Sequence, residues 1–348
     1  MQKLSVHILF EHSADRKPHG CAYIREILPL THPSMADAFQ VTLGTEYARA
    51  DVLVVGRTWR PGITLELAER LVDQARRDKV CLIYSIDDNL LDLRSVPDDV
   101  RMIVRHFCRE ADGILVSTGF LKERLGQINR RICVVPNAID ERLFKSNGDR
   151  LTPRKVVGDR KIIGYMGTYT HDADLMMVLQ ALRTILRKFL GSIELQLVGG
   201  LSNSTFINAL QGLPVKVLHV PVEDVEYPRF VSWMKNNLHW HLAIAPLEDT
   251  YFSRSKSDIK FLDYSALGIS GIYSRVPAYE ETVRHLETGY LVENTPTAWI
   301  EALERILVDD LLREELAKVA QEYVFSTRTL EYCSATWQDA ILSIVKVR

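Results

Sequence analysis

Residues 51–86 read DVLVVGRTWRPGITLELAERLVDQARRDKVCLIYSI, and this stretch decides the fold. Its two ends, DVLVV and VCLIYSI, are continuous apolar runs, which are typical of strands buried on both faces of a parallel sheet. Between them, residues 65–77 carry apolar side chains at helical spacing along one face. A strand, a helix and a strand in this order predict a β-α-β unit.

The same alternation extends over the chain in both directions. Apolar runs predict further strands at residues 5–10, 39–43, 113–117, 132–135, 162–166, 193–198, 215–220, 241–245 and 271–274. Amphipathic segments lie between most of these runs, as expected for sheets covered by helices on both faces. The pattern therefore predicts an α/β protein with doubly wound parallel sheets.

A polar, proline-bearing stretch at residues 145–161 interrupts the alternation, as a linker between domains does. The chain of 348 residues is also too long for one ordinary core. We therefore predict two Rossmann-like domains, residues 1–150 and 151–325, that face each other across a central cleft. Residues 326–348 are expected to form a helix that packs back on the first domain. Ligands of such sheets bind beyond the carboxyl ends of the strands.

Composition narrows the class of protein. Hydrophobic residues make up 47% of the chain, charged residues 25%, and the net charge of −2 argues against a nucleic-acid partner. No apolar run is long enough to span a membrane, and the first one is too short for a signal peptide. Five cysteines without a CxxC pair predict reduced thiols, no metal site and a cytoplasmic protein.

A second stretch, residues 252–268 (FSRSKSDIKFLDYSALG), places cations at the start of an apolar helix. Arg254, Lys256 and Lys260 are these cations. Ser257 has the hydroxyl group of an N-cap, so the helix is expected to begin there, with its free N–H groups toward the basic loop. Because helix N-termini attract anions, we predict an anion site. The alternative is that the charges only solvate the start of a helix.

Four segments stand in an informative order: VVPNAIDERLF at residues 134–144, IGYMGTYTHDADLMMVLQAL at 163–182, IKFLDYSALGISGIYS at 259–274 and TGYLVEN at 288–294. Together they resemble the family 4 glycosyltransferases, which have the GT-B architecture of two Rossmann-like domains and retain the configuration of the transferred sugar. The chain departs from the family pattern at Ser255, which stands with Asp263 where an E-x7-E pair is common. It also lacks the Arg and Lys that often follow the glycine turn.

The resemblance implies a binding site for a nucleoside diphosphate sugar donor, with no tightly bound cofactor. The predicted donor-binding residues are Gly167, Thr168, Arg254, Lys256, Lys260, Asp263 and Tyr264. Lys256 or Lys260 would bind the diphosphate, whose charge grows as it leaves. Asp263 would accept hydrogen bonds from the ribose hydroxyls. For Gly167 and Thr168, an ordinary left-handed turn is a comparable interpretation.

Three residues are candidates for catalysis. Asp87 and Asp88 lie at the carboxyl end of the strand formed by VCLIYSI, where function concentrates in this architecture. They would orient the acceptor hydroxyl, act as a base or bind a divalent metal, for which one Asp pair is weak evidence. The alternative is that they cap the segment that follows. His171, after the glycine turn, would contact the sugar, although this segment could equally cap the next helix.

From the resemblance we expect a retaining hexosyltransferase that moves a sugar to a glycan or lipid-linked acceptor in the assembly of cell-surface polysaccharide or lipopolysaccharide. Glycan-assembly relatives place such enzymes at the inner face of the membrane, so peripheral membrane association is part of this expectation. Two alternatives stay open: a nucleotide-sugar-binding subunit that has lost catalysis, and a sugar-nucleotide epimerase or phosphorylase on the same fold.

Overall fold

The computed structural model describes residues 3–93, 95–145, 160–167, 172–199 and 204–347. Their strands form two six-stranded sheets in which every paired neighbour is parallel. The first sheet contains β1 Leu4–Leu9, β2 Phe39–Gly44, β3 Val52–Gly56, β4 Cys81–Ile86, β5 Gly113–Val116 and β6 Ile132–Val134. The second contains β7 Lys161–Met166, β8 Ile193–Val198, β9 Val215–Leu218, β10 Leu242–Ala245, β11 Ser270–Ser274 and β12 Tyr290–Val292.

The strand orders locate the places where ligands bind. The first sheet has the order β2-β1-β3-β4-β5-β6, which reverses direction between β1 and β3. The second has the order β12-β11-β10-β7-β8-β9 and reverses between β7 and β10. Open α/β sheets bind ligands at such switch points, outside the carboxyl ends of the strands. The doubly wound α/β architecture predicted from the sequence is confirmed.

The helices follow the predicted alternation closely. They are Leu65–Arg77, Asp98–Glu110, Gly119–Leu125, Glu141–Phe144, Asp172–Lys188, Ser204–Ala209, Tyr227–Asn237, Ile259–Ala266, Pro277–Glu280, Pro296–Val308, Asp310–Thr327 and Leu330–Lys346. The sequence pattern missed the short helix Ser204–Ala209 and the edge strand β12, because both are too short for a clear period. Most of the predicted linker, residues 146–159, lies outside the described residues.

A helical segment at residues 20–30 departs from the regular helix that its spacing predicts. Tyr23–Ile27 is π-helical between α-helical turns at Gly20–Ala22 and Leu28–Leu30. The wider turn lets Arg25 and Glu26, which are consecutive, both be buried. We call residues 20–30 the π-turn helix; π-turns of this kind occur frequently at functional sites.

Apolar side chains cover both faces of each sheet and form its core. The last helix, Leu330–Lys346, packs against the first sheet although it follows the second in sequence. Its buried residues Trp337, Ile341 and Ile344 join the cluster that contains Val6 of β1. An added Cβ at Gly113 of β5 would come within 2.6 Å of Ile344, so the helix lies directly on the sheet.

No helix among the described residues has both the length and the apolar composition needed to cross a bilayer.

Candidate active site

The carboxyl ends of the two sheets enclose a cavity of about 380 Å³. The π-turn helix contributes Gly20, Cys21 and Ile24, and the loop after β4 contributes Asp87. The second sheet and its helices supply the other wall, which includes Gly167, Ser257, Lys260, Asp263 and Tyr227. The volume lies within the range of small-molecule sites. Asp87, Gly167 and the pair Lys260 and Asp263 come from three distant parts of the sequence and thus line one cavity.

The helix Ile259–Ala266 points its N-terminus at this cavity, but Ser257 does not cap it as predicted. The helix begins two residues later, with Asp258 at the N-cap position and no capping hydrogen bond from its side chain. The Ser257 hydroxyl instead accepts a hydrogen bond of 2.8 Å from Asn137 Nδ2, and Asp258 pairs with Arg328 at 2.7 Å. Because both side chains turn to other partners, neither occupies the N–H groups of the first turn.

Lys260, in the first turn of this helix, is the cation that lines the cavity. Its ammonium group lies 5.3 Å from the centroid of the Tyr165 ring. Burial lowers the pKa of Lys260 to about 8, although the charge of Asp174 acts in the opposite direction. Burial without an anion destabilises the charged form of the Lys260 side chain. An anion that binds next to this ammonium group would stabilise the charged form again.

Asp263 lies one turn further along the same helix and is 5% exposed. Burial raises the pKa of Asp263 to about 7, even though a hydrogen bond from the Tyr227 hydroxyl opposes the shift. The Tyr227 hydroxyl donates to Asp263 Oδ1 over 2.9 Å. Tyr227 is the first residue of the helix Tyr227–Asn237 and also lines the cavity. No pattern in the sequence indicates Tyr227, because only the fold brings it to Asp263.

The ends of β7 and β8 meet at the cavity through two glycines. Gly199 has φ of +105°, and an added Cβ there would lie 1.9 Å from the carbonyl oxygen of Gly167. Any side chain at Gly199 would therefore push the two turns apart. Beside these turns, the cavity wall is apolar and consists of Met166, Val198, Val220, Val225 and Phe230. This apolar part of the wall is suited to contact with a flat, poorly hydrated part of a ligand, such as an aromatic ring.

Three of the predicted binding residues lie elsewhere. The Tyr264 side chain is fully buried, and its hydroxyl accepts from the Met166 N–H and donates to the Ile244 carbonyl, so it holds two strands. Arg254 is exposed and forms a bidentate pair with Asp249. Lys256 pairs with Asp88 over 3.3 Å. Arg254 and Lys256 line a second compartment of the cleft, of about 360 Å³.

Opposite Lys260, the first sheet presents a compact group of charges around Arg57. Its guanidinium lies 3.5 Å from Glu11, 3.8 Å from Asp87 and 4.0 Å from Asp88. Burial raises the pKa of Asp87, and the charge of Arg57 acts against this shift. Asp87 Oδ1 is buried and has no hydrogen-bond partner among the described residues. This atom therefore retains the capacity to accept a hydrogen bond from a ligand.

The π-turn helix adds two ionisable groups behind Asp87. Burial raises the pKa of Glu26 to about 8, despite the hydrogen bond that Ser85 donates to it. Arg25 donates to the Val135 carbonyl and to Asn137 Oδ1, at 2.6 and 2.7 Å. Since Asn137 also holds Ser257, the π-turn helix is linked to the loop in front of Lys260.

Further contacts join the two sheets across the cleft. Tyr23 of the π-turn helix donates to Glu226, the residue before Tyr227, over 2.6 Å. The Thr118 hydroxyl donates to the Ser255 carbonyl over 3.0 Å. Together with Lys256–Asp88 and Asn137–Ser257, they connect the two halves of the cleft at four places.

Glu11, His19 and Cys21 form a cluster with the composition of a metal site at the edge of the cavity. Arg57 lies within 3.5 Å of Glu11 and donates to the Cys21 sulfur at 3.3 Å, so a guanidinium already supplies positive charge there. Burial raises the pKa of the Cys21 thiol, which favours its protonated form. Thr168 and His171 lie outside the described residues.

Comparison with known proteins agrees with this geometry. Residues 160–309 match the model of the family Glycosyl transferases group 1. A D-inositol 3-phosphate glycosyltransferase of Corynebacterium urealyticum is 24% identical over 242 residues, which cover 65% of this chain and 56% of that protein. The chain thus spans little more than half of that relative's length.

Two solved structures share the fold over nearly their full length. Sucrose-phosphate synthase of Thermosynechococcus elongatus has a TM-score of 0.69, is 13% identical, and each chain is fully covered. The Anabaena protein HepE, solved in complex with UDP-glucose, has a TM-score of 0.67 and 14% identity, with 98% of this chain and 99% of that chain covered. The predicted resemblance to glycosyltransferases of GT-B architecture is confirmed.

Proposed function

We propose that this chain transfers a sugar from a nucleoside diphosphate donor to a hydroxyl group of a glycan or lipid-linked acceptor. The sugar retains its anomeric configuration in this reaction. The match of residues 160–309 to the glycosyl transferases group 1 supports this function. The donor binds to the second sheet and the acceptor to the first. Assembly of a cell-surface polysaccharide is the process to which we assign it.

One observation carries the proposal. Lys260, Asp263 and the uncapped start of the helix Ile259–Ala266 line the same cavity as the glycine turn at Gly167, opposite Asp87. A diphosphate requires a cation and free N–H groups, and a nucleoside requires a carboxylate for its ribose and an apolar slot for its base. These groups occur together here, at the switch point of the second sheet.

In the reaction, Lys260 and the helix N-terminus stabilise the charge that develops on the leaving diphosphate. Asp87 Oδ1, which accepts no hydrogen bond from the described residues, accepts one from the attacking acceptor hydroxyl and orients it toward the sugar. The acceptor proton passes to the leaving phosphate on the same face, so no protein nucleophile is assigned. The contacts across the cleft exclude water, which would otherwise hydrolyse the donor.

A donor screen followed by a transfer assay tests the proposal. UDP, GDP and ADP are added to the protein while its thermal unfolding is followed, since a ligand that binds the folded state raises the melting temperature. The sugar nucleotides of the stabilising base are then incubated with glycan and lipid-linked acceptors, and the released nucleoside diphosphate is measured. We expect one base to stabilise the protein and acceptor-dependent release to follow. Absence of stabilisation by any nucleotide would contradict the proposal.

A second candidate function is a nucleotide-sugar-binding subunit without catalysis. It is favoured by Ser255, which stands where the family often has a glutamate and whose buried hydroxyl has no hydrogen-bond partner among the described residues. This candidate predicts nucleotide-dependent stabilisation without turnover on any acceptor.

A further inference from the structure

Tyr227 and Asp263 converge on the donor cavity from two different helices. Asp263 belongs to Ile259–Ala266, and Tyr227 begins Tyr227–Asn237. Both side chains line the cavity, and their exposed fractions are 7% for Tyr227 and 5% for Asp263. Their buried hydrogen bond of 2.9 Å therefore joins two residues of the cavity wall.

The contact leaves specific hydrogen-bonding capacity on each partner. Tyr227 uses its only proton on Asp263 Oδ1, so its oxygen retains lone pairs that can accept. The hydrogen bonds of the described residues leave Oδ2 of Asp263 without a donor. A ligand that meets this pair thus encounters two neighbouring acceptors, a carboxylate oxygen and a phenolic oxygen. Two adjacent donors, such as the vicinal hydroxyls of a ribose, are complementary to them.

The position of Tyr227 is fixed by its neighbours. Glu226, directly before it, accepts the hydrogen bond from Tyr23 across the cleft, and Pro228 follows it in the first turn of the helix. The start of the helix that carries Tyr227 is therefore adjacent to a contact that joins the two sheets. Asp263 stands where a glutamate is common in the E-x7-E pair, and an aspartate side chain is one methylene shorter. The phenolic oxygen of Tyr227 adds a second acceptor beside this shorter side chain.

We propose that Tyr227 is a ribose-binding residue, which accepts one of the two vicinal ribose hydroxyls of the donor while Asp263 accepts the other. The inference rests on the proposed donor site and assigns it a second residue. It predicts that the ribose is recognised by a pair of residues, so that each of them contributes to the preference for ribonucleotides.

The test compares nucleotides that differ by one hydroxyl group. Binding of UDP and GDP, and of their 2′-deoxy and 3′-deoxy forms, is measured by calorimetry for the parent protein and for Tyr227→Phe. We expect the parent to prefer the better ribonucleotide over at least one deoxy form by about tenfold, and Tyr227→Phe to reduce this ratio to about threefold. Tyr47→Phe serves as the matched control, because Tyr47 donates to Asp78 at 2.8 Å far from the cavity. It should keep the parent ratio.

An unchanged ratio in a Tyr227→Phe protein that still binds the ribonucleotide would overturn the role of Tyr227 and leave the donor site intact. If the parent binds none of these nucleotides, the proposed function fails and the ribose role with it. Asp263→Asn provides a second variant should Tyr227→Phe not fold: it should lower the same ratio, and an unchanged ratio there would overturn the paired ribose site.

Discussion

The cations on the two sides of the cleft differ in whether carboxylates of the protein surround them. On the side of the first sheet, Arg57 lies within 4.0 Å of Glu11, Asp87 and Asp88, so these carboxylates offset its positive charge. On the side of the second sheet, the Lys260 ammonium lies 5.3 Å from the centroid of the Tyr165 ring, and no carboxylate of the described residues lies within ion-pair distance of it. A cation that already has a partner holds the protein together, whereas one without a partner can bind an anion. The difference supports the proposal that the diphosphate binds to the second sheet.

The largest effect is expected at Lys260. Lys260→Ala should weaken nucleoside diphosphate binding about 100-fold, because a charge-assisted contact in a partly buried site is lost. The matched control is Lys256→Ala, four residues earlier, whose ammonium is already bound to Asp88. Calorimetric titration should show a change of no more than about threefold for the control. Equal losses in both variants would remove the distinction between the two lysines.

The next effect concerns the first sheet. Asp87→Asn should lower kcat about 30-fold, since an amide accepts the hydrogen bond of an acceptor hydroxyl less strongly than a carboxylate does. The affinity for the nucleoside diphosphate should stay within about twofold of the parent. Steady-state kinetics together with calorimetry separate these two quantities. A variant with the parent kcat would exclude Asp87 from the reaction.

A smaller effect is expected from pH. Because burial lowers the pKa of Lys260 to about 8, the free protein loses this positive charge as pH rises through that value. Diphosphate affinity should therefore be highest below pH 8 and fall about tenfold between about pH 7 and pH 9. Lys260→Arg is the control, because a guanidinium stays charged throughout this range. The same decline in both proteins would assign the titration to another group.

The smallest effect is expected at Arg254. It is exposed and already paired with Asp249, so Arg254→Ala should change nucleoside diphosphate affinity by less than about twofold. Parallel titrations at low and moderate salt would reveal any contribution at longer range. A loss as large as that of Lys260→Ala would show that the diphosphate lies in the second compartment of the cleft.

The fold was predictable because its signal is local. Continuous apolar runs such as VCLIYSI and amphipathic helices such as Leu65–Arg77 appear in the structure with nearly the predicted bounds. The π-turn in residues 20–30 was not predictable, because YIREILPL has ordinary helical spacing. The wider turn occurs where Arg25 bonds to the segment after β6 and Glu26 bonds to Ser85 of β4.

Residues of the candidate cavity were predictable only where they lie at the carboxyl end of a strand or in the first turn of a helix. Lys260 and Asp87 follow such a rule, and both line the cavity. Ser257 fits the rule for an N-cap, yet its hydroxyl accepts a hydrogen bond from Asn137, which lies 120 residues earlier in the sequence. Tyr227 and Arg57 depend on contacts between elements distant in sequence, for which a single sequence contains no signal.

The most direct measurement is a crystal structure of this protein with a bound nucleoside diphosphate, chosen by the thermal screen. The assignment of the donor to the second sheet predicts phosphate oxygens about 3 Å from Lys260 Nζ and from the N–H groups that begin the helix Ile259–Ala266. The ribose should then lie against Asp263. A diphosphate bound instead to Arg57 on the first sheet, or to Arg254 and Lys256 in the second compartment, would contradict it.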